Sequence, residues 1–177
     1  MRGSIPLLLF SNMDNKIKQN LISIVDNLYM DKYISQCDFY LKNPPSKSKF
    51  EFHHIYPSFI FREIKGLKNR AKTIDLLDAE YKPKINIVKL PCKWHILIHW
   101  NLANALTGTR YEKDAQNALR LMIGDFYTPW EEFKYEQIQN LAKMYEETCQ
   151  PNRFSTYMTA SEKEVYYKQL QKQRNNK

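Results

Sequence analysis

Two pairs of histidines dominate the chemistry available to this chain. His53 and His54 are adjacent in "FEFHHIYP" (50–57), and His95 and His99 stand four apart in "WHILIHW" (94–100); the sequence contains no fifth histidine. Four residues is about one helical turn, so on a helix both imidazoles of the second pair project from one face. Such a pair is a ready bidentate metal site. A third imidazole from a neighbouring strand would complete a three-histidine set with room left for water or substrate. The first pair is placed to offer one, because alternation along a strand points Glu51 and His53 to one face and His54 to the other.

The elements that must hold these residues follow from pattern. "KFEFHHI" (49–55) is rich in aromatics and ends β-branched, which suits a strand, and "INIVKL" (85–90) suits a second. Pro91 then opens "PCKWHILIHWNLANAL" (91–106), whose Ile96, Ile98, Leu102 and Leu106 mix with polar residues as they do on a helix. Upstream, residues 14–32 carry Ile17, Leu21, Ile24, Val25 and Leu28 as one apolar helical stripe, and "KNPPSKSK" (42–49) marks a break. Downstream, "TGTR" (107–110) ends a helix and residues 112–123 read as another. Thr128, Pro129 and Glu131 then predict an N-cap, a first-turn proline and the start of a helix running to about Thr148, with Trp130, Phe133, Ile138, Leu141 and Tyr145 as its stripe. Ser161 and Glu164 form a further capping box, and a basic, polar tail follows from Lys168.

The expected fold is α+β and mostly helical, with a small two-stranded hairpin and one helix forming the histidine-bearing core. Residues 1–48 are the N-terminal helical segment, 49–106 the core, and 107–177 a C-terminal helical region, all packed as one compact domain. A length of 177 residues, 43% of them hydrophobic, supports one such core. Only 4 glycines agree with a helix-rich body having few tight turns.

Net charge is +8, which favours a polyanionic partner such as nucleic acid. The apolar "IPLLLF" (5–10) is too short for a signal-peptide core or a bilayer span, so residues 1 to about 12 are read as an arm and no membrane partner is expected. Cys37, Cys92 and Cys149 are odd in number with no Cys-x-x-Cys pair, which points to a reducing, cytoplasmic setting without a disulfide framework.

The order of parts adds a resemblance. The run E-F-H-H-I-Y-P followed by N-I-V-K-L-P-C-K-W-H-I-L-I-H-W resembles the HNH nuclease signature of the ββα-metal superfamily. It is similar to the nuclease domains of DNA-degrading colicins, and more so to phage and mobile-element HNH proteins of the homing type. The match spans roughly residues 49–106.

The resemblance implies His53, His95 and His99 as ligands of one divalent metal and His54 as the general base. It implies Asn86 as a backbone-bonding residue that holds the strands and orients His54, and Glu51 as a partner that aligns an imidazole. The activity it implies is single-metal hydrolysis of phosphodiester bonds in double-stranded DNA, with no nucleotide cofactor. Mg or Mn would serve turnover, while imidazole ligation also suits Zn, Ni or Co. One site nicks one strand, so a double-strand cut would need a homodimer or two events.

Two departures from the family pattern stand out. Between Pro57 and Ile85 the chain inserts a long segment (58–84) in which Arg62, Lys65, Lys68, Arg70 and Lys72 form either a phosphate track or a solvated helix face. Trp94 stands where relatives often carry Glu, and no role is assigned to it. Two other readings remain open: a type II restriction endonuclease of the HNH class, and a DNA-binding module whose Cys92, His95, His99 and His53 close a structural zinc site.

Overall fold

The computed structural model describes residues 13–45 and 49–149, with five further helical positions between 164 and 175. The N-terminal arm, Ser161 of the second capping box and most of the basic tail lie outside the described residues. Helices α1 (Asn15–Ile24) and α2 (Leu28–Lys42) lead into strand β1 (Phe50–His54). Three short helices follow, α3 (Ser58–Ile64), α4 (Arg70–Glu80) and α5 (Pro83–Asn86), then strand β2 (Ile87–Pro91). Helices α6 (Cys92–Ala105), α7 (Glu112–Ile123) and α8 (Tyr135–Thr148) complete the order, with a 3-10 turn at Trp130–Glu132 before α8. Among the described residues no helix is long and apolar enough to cross a membrane.

The mostly helical α+β expectation holds. β1 and β2 form one antiparallel pair in which His53 faces Val88 and His54 faces Ile87. α6 begins where β2 ends, and it is the centre of the molecule, with nine of its 14 residues buried. It is apolar almost all round because it is covered on several sides. Ile98, Leu102 and Ala105 join a core built with α1, α2 and α3. Ile96, Leu97 and Trp100 join a second core with Leu119 of α7 and with Phe133, Ile138 and Ala142 in and before α8. The histidines occupy the side of α6 left toward β1.

Four local expectations need correction. Residues 14–32 are not one helix: α1 stops at Ile24 and α2 starts at Leu28, leaving Leu28 66% exposed. The cause is Asn27, whose side chain accepts from Met30 N and so caps a new helix, while its Nδ2 donates to the Ala105 carbonyl. The second strand begins at Ile87, not Ile85, because Pro83 opens a helical turn that ends on Asn86. Thr128 does not cap a helix: its hydroxyl donates to Asp125 Oδ2, and α8 starts only at Tyr135.

The fourth correction concerns sulfur. Cys92 and Cys149, 57 residues apart, are joined in a disulfide that ties the first turn of α6 to the residue after α8. Spacing alone could not show this, because the pairing arises from α8 packing against α6. Lys49 closes the same corner, donating to the carbonyls of Glu147 and Cys149.

Candidate metal centre

β1 and α6 bring His53, His95 and His99 together as expected, with one ring nitrogen from each lying within 4.8 Å of the others. The ring centroids are 4.9–5.2 Å apart. The hydrogen-bond partners then fix which nitrogen of the His95 and His53 rings carries a proton. Glu51 Oε2 lies 2.7 Å from His95 Nδ1. A carboxylate accepts only, so Nδ1–H donates to it and the lone pair sits on Nε2. The Tyr33 hydroxyl spends its one proton on the Ile55 carbonyl at 2.6 Å, so its oxygen accepts from His53 Nε2–H at 2.8 Å. The lone pair of His53 is therefore on Nδ1.

His53 Nδ1 and His95 Nε2 face each other at 3.3 Å. Two lone pairs do not hold that distance without a cation or a proton between them. For metal–nitrogen bonds of about 2.0–2.1 Å, the edge of a tetrahedron is about 3.3–3.4 Å. His99 adds an Nδ1 that is sealed from solvent and has no hydrogen-bond partner. Three close histidines of this kind could hold a metal ion, and the donor set fits one.

Burial keeps His53 and His99 neutral. It pushes the His99 pKa down to about 3, with the neighbouring His95 adding to the effect. Burial likewise holds His53 well below the usual histidine range, reinforced by His99, His95 and His54. Neutral rings are the state that binds a metal.

His54 leaves the strand on the other side from Glu51 and His53, as alternation requires, yet it borders the same cleft as the three histidines. Its Nε2 lies 3.3 Å from Asp78 Oδ1 on α4. A carboxylate there keeps the proton on Nε2 and the lone pair on Nδ1. Burial lowers the His54 pKa, and Asp78 partly offsets this. Asn86 is fully buried. Its Oδ1 accepts from Tyr56 N at 2.7 Å and its carbonyl accepts from Ile55 N at 2.8 Å, so it pins the chain just after His54.

The basic insertion folds into α3, α4 and α5, and its five cations part company. Arg70 borders the histidine cleft. Arg62 lines an adjoining cleft and sits 3.8 Å from Asp114. Lys65 pairs with Glu80 at 3.3 Å. Lys68 and Lys72 are exposed and are not among the residues lining either cleft. Of the five, Arg70 is the one that lines the cleft holding the histidines. Trp94 is half-buried and packs against the second core and Tyr40.

Three residues of the site carried no sequence signal. Tyr33 comes from α2, Asp78 from α4 and Tyr145 from α8, where its hydroxyl donates to Glu51 Oε1 at 2.6 Å. Each lies outside the motif and reaches it only through helix packing. Cys92, by contrast, is not with the histidines, since its sulfur is bound to Cys149. The four-ligand zinc site containing Cys92 does not form. No protein-family model, curated protein or solved structure matches this chain.

Proposed function

We propose that this chain is a metal-dependent DNA endonuclease with a ββα-metal core of the HNH type, hydrolysing phosphodiester bonds at the histidine cleft. The observation that carries this reading is the division of labour within one cleft. Three imidazoles converge on one point, and a fourth histidine, oriented by a carboxylate, borders the same space. A closed structural site would have no use for the fourth.

His53, His95 and His99 would hold one divalent cation, which when bound supplies Lewis-acid neutralisation of charge developing on the phosphate. His54 Nδ1 takes a proton from the attacking water, and Asp78 keeps that nitrogen basic by holding the proton on Nε2. Glu51 and Tyr33 fix the ring orientations of His95 and His53. Asn86 fixes the backbone that aims His54. Arg70 offers a fixed positive charge to the phosphate as it enters. The motif resemblance favours a phage or mobile-element homing role over a restriction role, with duplex DNA as partner and Mg or Mn in turnover.

The test uses metal-stripped protein and supercoiled plasmid, with Mg, Mn, Ni, Co or Zn added singly, beside His54→Ala prepared identically. Metal-dependent cleavage that is lost in His54→Ala, while that variant still binds metal, is the expected result. No cleavage in any metal, on DNA of diverse sequence, would overturn it.

A further inference from the structure

The histidine cleft is larger and more apolar than one phosphate needs. It spans about 300 Å³, and beyond the histidines and Arg70 its walls include Phe59 of α3, Leu102 of α6, and Ala118, Leu121 and Met122 of α7. A second cleft of about 200 Å³ shares Phe59, Arg70, Ala118 and Leu121 with it, so the two are continuous past Arg70. Leu121 is 69% exposed at this rim. A phosphate has no use for an aromatic ring and an aliphatic wall; a base has. The space is at the small end of sites that enclose one organic unit, about 300–1,000 Å³, and far too small for a duplex, whose major groove alone is about 12 Å wide.

Resting on the nuclease reading, we infer that this cleft receives a single nucleotide lifted out of the base stack, its base between Phe59 and the α7 wall and its flanking phosphate at Arg70. The preferred substrate is then DNA in which one nucleotide is already unpaired at the cutting position. A protein that holds an extruded nucleotide must otherwise meet the cost of unstacking it, a few kcal/mol in intact DNA and less where pairing is already broken. Base stacking on an aromatic face is tolerant of sequence, so the cleft selects for disrupted pairing more than for base identity.

The experiment measures binding of fluorescein-labelled DNA to His54→Ala protein loaded with zinc, so that nothing is cut. Two duplexes of one sequence are compared, fully paired and with a single-nucleotide bulge. The bulged duplex is expected to bind at least about tenfold more tightly. Leu121→Asp, at an exposed position whose replacement spares the core, is expected to reduce that ratio toward one, because its charge acts on both duplexes while the lost apolar wall acts on the bulged one alone. Arg70→Ala is expected to weaken both duplexes together. Equal binding of the two duplexes by the His54→Ala protein without further substitution, or an unchanged ratio on adding Leu121→Asp, would overturn the inference and leave the nuclease reading standing. Absence of binding to either duplex would overturn both.

Discussion

Replacing Tyr33 by Phe isolates one hydroxyl group. That hydroxyl is fully buried, donates to the Ile55 carbonyl at 2.6 Å and accepts from His53 Nε2 at 2.8 Å. Phe keeps the ring and its packing, so the loss is confined to hydrogen bonding. Two buried groups, the Ile55 carbonyl and the His53 ring, each lose this partner, at a cost of about 1–3 kcal/mol apiece. His53 also loses the contact that fixes its tautomer, and removing a ligand's outer partner typically costs about 10–100-fold in metal affinity. Zinc titration against a chromophoric chelator should show that weakening. Thermal melts at a fixed zinc excess should show the metal-induced stabilisation shrink by about 1.4–2.7 kcal/mol, the same factor expressed as free energy. Zinc affinity and metal-free stability both unchanged in Tyr33→Phe would refute the tautomer assignment and with it the pairing of lone pairs at the centre.

Other outcomes follow from the same geometry. Asp78→Ala should lower kcat for plasmid cleavage by about 10–100-fold with zinc affinity intact, because it frees the proton position on His54 without touching a ligand; an equal loss of metal would contradict this. The metal-free protein should lose stability as pH falls below about 6.5, where the unfolded chain takes up protons that the buried His53 and the partly buried His99 refuse, and the loss should continue toward pH 3. From His99 alone this is on the order of 2 kcal/mol at pH 5, read from the melting temperature between pH 7.5 and 5, and a flat profile would count against the burial of these rings. Reducing the Cys92–Cys149 disulfide, which closes a 57-residue separation, should cost about 4 kcal/mol by chain entropy in a denaturant titration, yet the Cys92→Ser, Cys149→Ser protein should still bind one zinc. Loss of zinc stoichiometry there would revive Cys92 as a ligand.

The histidines were legible because their chemistry is local. His95 and His99 needed only a helix, and His53 needed only a strand beside it. Glu51 was legible for the same reason, two residues from His53 on the same face. What could not be read was anything set by packing between distant helices. Tyr33 sits in an amphipathic stretch where an aromatic is expected simply as core, and nothing in α2 says that its hydroxyl ends against His53. Tyr145 was one member of an apolar set that packs into the second core, although only its last three members lie on α8; the hydroxyl's meeting with Glu51 depends on α8 crossing α6. Asp78 lay in an insertion read through its basic residues, so the acidic residue that mattered was passed over. The element boundaries that moved did so where one polar side chain outvoted a pattern: Asn27 split an apolar stripe, and Asp125 took the hydroxyl of Thr128.

Lys49 and the Tyr145–Glu51 contact gather α8 onto β1 and the residue before it, and the disulfide ties the residue after α8 to the start of α6. Synthesis therefore delivers all four histidines well before it delivers the helix that braces them. A chain still emerging from the ribosome, or one clipped ahead of Tyr135, would carry every residue of the motif and lack part of its support. The bracing of Glu51, and through it of His95, is thus complete only once the chain has been made through α8.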